Sequence, residues 1–290
     1  RRDGEPIAVA VRTAYIVWPG PNARTLVCAG GIANTAHRFD FLGADLAGRF
    51  QTVALDWAGR GRSASMPSVS SMPSICPTAS APNSMSVDRR ARAWLNYDDG
   101  KLYKIPTNNP ASCLDSGYQT GVVPTAKVGM GFVSDAEGSE KETLFVAGGS
   151  YSNQNVANLA SIDASTLKLS KIAGLSLSGQ SSPELSGTGK GELYGYYPGG
   201  SPFIGQIDKA SAGVLRRWTL SSMGSSPSAW AFAHWGGRFY MFITANVGVS
   251  TRSMVYEFDP ATGKAVEIKT SASYRIVGAG VSTCAPVVIG

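Results

Sequence analysis

The feature that most constrains this chain is an internal repeat with a period of roughly 45 to 55 residues, running from residue 83 to the end. Its opening strand recurs as Asn83-Ser-Met-Ser-Val87, Val128-Gly-Met-Gly-Phe-Val133, Pro183-Glu-Leu-Ser-Gly187, Ser228-Ala-Trp-Ala-Phe232 and Ile276-Val-Gly-Ala-Gly280. These strands are rich in small residues, which suits segments crowded against one another. About ten residues later comes a strand of aromatic and branched residues: Ala93-Trp-Leu-Asn-Tyr97, Thr143-Leu-Phe-Val-Ala147, Glu192-Leu-Tyr-Gly-Tyr-Tyr197 and Arg238-Phe-Tyr-Met-Phe-Ile243. A third strand ends in a turn at Asp163, Asp208 and Asp259, where a carboxylate can accept backbone N–H bonds, and a fourth returns from it.

Four strands per repeat, small innermost and large further out, is the logic of a β-propeller blade. The predicted fold class is therefore all-β, a five-bladed β-propeller over residues 83–290. Four blades read as complete, at 83–122, 127–176, 181–222 and 227–272, and residues 275–284 supply only an inner strand. The missing strands would come from the N-terminal segment or from a second copy, which makes blade completion a route to a homo-oligomer. The Ile/Phe-Asp-x-x-Ser/Thr blade ends resemble those of propeller repeat proteins found on bacterial surfaces or secreted, over about residues 76–290.

The first 65 residues differ: they hold eight Arg and no Lys, against eight Arg and ten Lys afterwards. A Ser/Pro-rich linker at 66–82 separates the two parts. Strand candidates in the first part are Ile7–Arg12, Thr13–Trp18, Arg24–Cys28 and Phe50–Asp56, and Phe39, Leu42, Leu46 and Phe50 have helical spacing. Leu26-Val-Cys-Ala-Gly-Gly, the helix from Arg38, and Asp56-Trp-Ala-Gly-Arg-Gly-Arg-Ser63 make residues 4–63 resemble the start of an α/β-hydrolase. The resemblance implies a strand, a Gly-containing oxyanion loop, a helix and a next strand. It stops before the chemistry, because no Gly-x-Ser-x-Gly elbow follows and the histidines are His37 and His234 alone. The segment reads as a hydrolase fragment fused to a propeller, whose strands help to close the ring.

Composition excludes several classes. A net charge of +6, with basic residues scattered, gives no nucleic-acid stripe. The one dense cluster, Arg89, Arg90 and Arg92, reads as a solvated loop before a phosphate or acidic-ligand site. No apolar run is long enough for a membrane span, and no signal peptide is visible. The four cysteines lack zinc-knuckle spacing. A bridge from Cys76 to Cys113 or to Cys284 is worth examining.

Ligands of a propeller meet where inner strands converge on the axial channel. Glu184 is the one acid inside an inner strand, at about the place of Ser84, Gly129 and Ala229 in the other blades. Asn83 opens the first inner strand. His234 follows the fourth inner strand, at about the place of Asp88 and Asp135. The named reading is a hydrolase of an ester or phosphoester with a metal-assisted channel site: Glu184 and His234 catalytic; Glu184, Asn83 and Asp135 metal ligands; a divalent cation, calcium favoured, as cofactor. The blander readings are a rim carboxylate for Glu184 and a turn residue beside Trp235 for His234. The alternative function is a noncatalytic propeller that binds a small molecule or protein. The tyrosines and tryptophans at 94, 97, 194, 196, 230 and 240 read as interblade packing.

Overall fold

The computed structural model describes residues 15–18, 25–29, 51–55, 76–78, 80–107, 112–119, 127–150, 153–175, 182–220, 227–247, 250–271 and 276–288. The first three stretches are strands β1 (Tyr15–Trp18), β2 (Thr25–Ala29) and β3 (Gln51–Leu55). They form their own mixed sheet in the order β1-β3-β2, with β2 and β3 parallel. The expected strand at 7–12 and helix from Arg38 lie outside the described residues.

The repeat region builds four antiparallel four-stranded blades in simple sequence order. Blade 1 is β4 (Pro82–Val87), β5 (Arg92–Tyr97), β6 (Leu102–Pro106) and β7 (Leu114–Asp115). Blade 2 is β8 (Gly129–Ser134), β9 (Glu142–Ser150), β10 (Asn153–Ile162) and β11 (Leu169–Leu175). Blade 3 is β12 (Glu184–Gly187), β13 (Leu193–Tyr197), β14 (Phe203–Ile207) and β15 (Val214–Thr219). Blade 4 is β16 (Ala229–Trp235), β17 (Arg238–Val247), β18 (Ser250–Asp259) and β19 (Lys264–Ser271). The innermost strands β4, β8, β12 and β16 neighbour one another in that order. This is a β-propeller.

Small inner residues let the blades close. A Cβ on Gly129 would collide with the Pro183 carbonyl, and Gly131 sits 3.1 Å from the Ser186 nitrogen by the same measure. Serine hydroxyls then tie strand to strand: Met130 N–H donates to Ser84 Oγ (3.1 Å), Phe132 N–H to Ser86 Oγ (2.8 Å) and His234 N–H to Ser186 Oγ (2.8 Å). The large residues of the second and third strands fill the spaces between blades. Trp94, Leu102, Phe132 and Leu144 pack between blades 1 and 2; Val133, Leu159, Leu193 and Tyr197 between 2 and 3; Tyr196, Phe232, Phe239 and Phe258 between 3 and 4. Each fully buried side chain of this size contributes about 1.5–3 kcal/mol.

The turn aspartates cap their turns as expected. Asp163 accepts the N–H groups of Ser165 and Thr166, Asp208 those of Ala210 and Ser211, and Asp259 that of Ala261. These bonds hold all three carboxyls below their ordinary range. The disulfide is Cys76–Cys113, tying the approach to blade 1 to its outer edge, and Cys284 is free and exposed.

Two expectations need correction. The described residues form four blades, not five. Residues 276–280 do run beside β4, with Gly278 against Ser84 and Met85 and Gly280 against Ser86 and Val87. Only Ile276 makes a bridge, however, so this stretch takes an inner-strand position without founding a sheet. The other correction concerns the N-terminal strands, since β1, β2 and β3 pair with one another and with no blade strand. The chain's own C-terminal stretch spans the seam instead. Ser282 Oγ donates to the Asp88 carbonyl (3.1 Å), Thr283 Oγ1 to Glu142 (2.8 Å), and Gly236 N–H of blade 4 donates to the Pro286 carbonyl (2.8 Å). Among the described residues no helix is long and apolar enough to cross a membrane.

Candidate functional site

Glu184 opens β12 and is buried. Ser84 Oγ, across from blade 1, donates to its Oε1, and the close approach at Gly129 leaves the carboxyl facing backbone. Burial pushes its pKa well above the ordinary value, against the smaller downward pull of the Ser84 and Met130 bonds. Burial therefore favours the protonated carboxyl, held inside a brace between blades. The void lined by Ser84 and Met85 has about 10 Å³, room for one water at most.

Asn83, at the start of β4, uses its amide in the same way. Its Nδ2 donates to Asn96 Oδ1 (3.1 Å) and to the Val128 carbonyl (3.0 Å), bridging blades 1 and 2. Asp135 lies beyond the far end of β8, exposed, where it accepts a bond from Thr143 Oγ1 (2.8 Å). From Gly129, beside Glu184, to Asp135 is six residues of extended chain, roughly 20 Å. Glu184, Asn83 and Asp135 are thus not brought together. Among the described residues no group of three or more His, Cys, Asp or Glu is placed to hold a metal ion.

His234 lies elsewhere. It faces Ser186, two residues past Glu184, and so stands roughly 7 Å further along the inner strands. Its ring, 7% exposed, stacks on Tyr194 (centroids 5.6 Å, 17° between planes) and meets the edge of Phe239 at 5.1 Å. Burial lowers its pKa to about 4, so the imidazole is neutral at physiological pH. No ring nitrogen of His234 is bonded to a described residue.

This histidine is one wall of a cleft of about 260 Å³ between blades 3 and 4. The floor is a single cross-strand row. Ser186 pairs with Tyr194, Tyr194 with Gln206, and Gln206 with Arg216, so alternation puts these side chains on the face of blade 3 that looks at blade 4. Trp218 and Glu192 stand two positions from Arg216 and Tyr194 on that same face. Arg216 lies over the Trp218 ring, 4.6 Å from its centroid. The opposite wall is His234, Phe239 and Pro260 of blade 4, with Val287 and Val288 of the C-terminal stretch at the rim.

Sequence reasoning found His234 but missed Arg216, Trp218 and Gln206. The signal was present in the alternation Arg216-x-Trp218, two large side chains on one face of an outer strand. Tyr194 was read as packing, and it does pack, but its hydroxyl lies beside Glu192, where burial and that carboxylate raise its pKa. The cluster Arg89, Arg90 and Arg92 is largely consumed by structure. Arg92 pairs with buried Asp88 (2.7 Å), which also accepts from Trp94 Nε1 (3.0 Å), and Arg89 reaches Ser134 and Thr283.

No protein-family model matches the chain. A 53-residue stretch, 18% of the chain, is 47% identical to a 3-hydroxybutyrate-oligomer hydrolase from Cupriavidus necator and spans 18% of that protein. Among solved structures, TolB from Acinetobacter baumannii superposes with a TM-score of 0.44 at 13% identity, over 69% of this chain and 46% of TolB. BamB from Moraxella catarrhalis gives 0.31 at 10% identity, over 65% of this chain and 63% of BamB, and the Dos1 propeller gives 0.36 at 12% identity, over 67% and 47%. The chain spans less than two thirds of the length of each of these proteins.

Proposed function

We propose that this chain is a noncatalytic ligand-binding propeller that holds a small molecule in the cleft between blades 3 and 4. The observation behind this reading is the row Tyr194–Gln206–Arg216, with Trp218 beside it and a buried, neutral His234 opposite. A concave site of this kind, with aromatic walls and a few polar groups, is what small ligands use. Glu184, in contrast, is committed to Ser84 and packed against the backbone at Gly129. The test is a fragment screen read on the imidazole resonances of His234 in a His37→Gln background. Fragments that shift those resonances support the reading, and a library in which none does so overturns it.

A second reading, an ester hydrolase, is favoured by the 47% identity over 53 residues to the oligomer hydrolase. The parallel pairing of β2 with β3 also supports it, because a parallel pair needs a long crossover, as the strand–loop–helix–strand resemblance of residues 4–63 requires. Release of p-nitrophenol from p-nitrophenyl butyrate, assayed with and without EDTA, tests it. Turnover abolished by EDTA would favour the metal-assisted form, turnover indifferent to EDTA a metal-free one, and no turnover would leave the binding reading alone.

A further inference from the structure

The charges around the cleft are unequal. Lys190 and Arg216 bring two cationic heads and Glu192 one carboxylate, a formal sum of +1. Glu192 is partly occupied: Thr188 Oγ1 donates to its Oε2 at 3.3 Å, and the Tyr194 hydroxyl lies beside it. Neither cation has a carboxylate partner among the described residues, and the amide of Gln206 has no hydrogen-bond partner there. Arg216 is also held in place, because its stacking on Trp218 restricts the guanidinium before any ligand arrives. A planar guanidinium so oriented presents the paired donors that a carboxylate accepts.

Resting on the binding reading above, we propose that the cleft takes a small organic monocarboxylate with a flat or cyclic apolar body. The carboxylate meets Arg216 and Lys190, and the body lies against Trp218 and the exposed edges of Tyr194 and His234. Gln206, between Tyr194 and Arg216 in the row, is placed to bond a polar substituent next to the carboxylate. A monoanion is favoured over a phosphate dianion because the cleft carries one net positive charge and Glu192 repels the second negative charge. The volume of about 260 Å³ admits one ring and little more, below the roughly 300–1,000 Å³ of drug-sized sites.

Four probes of nearly equal shape separate the alternatives: benzoate, benzamide, benzylamine and phenyl phosphate. Their dissociation constants are measured on the intact chain by titration of the His234 imidazole resonances, in the wild type and in Arg216→Ala and Arg216→Lys. Arg216 is exposed, so both variants keep the fold. The expected result is benzoate tighter than benzamide by about tenfold, a preference erased in Arg216→Ala and partly kept in Arg216→Lys. Benzamide or benzylamine binding as tightly as benzoate would overturn the carboxylate assignment while leaving a ligand cleft in place. Phenyl phosphate binding more tightly than benzoate would replace the monoanion by a phosphate. A preference for benzoate that survives Arg216→Ala would remove Arg216 from the site. Four silent probes would overturn the proposal, and the wider fragment screen would then decide the binding reading on its own.

Discussion

Two interblade seams of this propeller are built from the same kind of inner strand and end up as opposites. Where blades 1, 2 and 3 meet, glycine and serine bring the strands into contact, and polar side chains bridge the blades: Ser84 on Glu184, Asn83 on Asn96 and Val128, Ser86 on Phe132 N–H. Where blade 3 meets blade 4, Ser186 still ties the inner strands together, but beyond it Tyr194 packs ring on ring with His234 and Phe239, and a cleft lined also by Trp218 and Arg216 lies along these rings. A buried acid at the first seam becomes a structural brace. A buried base at the second becomes the wall of a cleft. The lesson is that residue type alone did not separate Glu184 from His234; the size of their neighbours did.

The largest effect that would sharpen this contrast is a cavity in the aromatic seam. Phe232→Ala, fully buried between blades 3 and 4, is expected to cost about 3–5 kcal/mol in urea unfolding. A cost under about 1 kcal/mol would mean that this seam does not hold the blades together. Removing the Cys76–Cys113 bridge, as the double serine variant, is expected to lower stability by about 2–4 kcal/mol, given the sequence separation of 37 between its ends. Gly129→Ala comes next, at about 1–3 kcal/mol, because the new methyl meets the Pro183 carbonyl in the closed seam.

The two titratable residues give opposite pH dependences. His234 has its folded pKa lowered to about 4 from 6.5, so the unfolded chain binds the proton more tightly. Its neutral ring therefore favours the fold above about pH 6.5, and this contribution is lost as the pH falls toward 4, up to about 3 kcal/mol in all. His234→Phe, which keeps the ring stack, should remove that acid loss in urea titrations at several pH values. Glu184 has its folded pKa raised, so its contribution is complete below the unfolded value of 4.5 and is lost as the pH rises through the folded value. Glu184→Gln should flatten this loss, making the variant gain on the wild type as the pH rises from 4.5. A wild-type and variant difference that does not change with pH would mean that Glu184 titrates in the fold as it does in the unfolded chain.

Much of this architecture was legible in the residues. The small inner strands, the aromatic second strands and the Asp turns report directly on period, burial and backbone capping, and all three recur where the blades form. The blade count was misread because Ile276–Gly280 has an inner-strand composition; whether such a segment founds a sheet depends on partners that lie far away in the chain. The site was half legible. His234 and Glu184 stood out as rare ionisable groups in apolar strands, but the row Tyr194–Gln206–Arg216 exists only in cross-strand register. Three residues from three strands carry no common local motif. Neither could the sequence show that Asp135 lies at the opposite end of the inner strands from Glu184 and Asn83, since each was placed by a separate blade.

The most direct test of the account follows two signals in one sample: the ring nitrogens of His234 and the side-chain carboxyl carbon of Glu184, in a protein with both labelled. Addition of benzoate should move the His234 signals in a saturable way and leave the Glu184 carbon where it was. A saturable shift at Glu184 with His234 unmoved would put the ligand in the axial channel and contradict the division between a sealed seam and an open one.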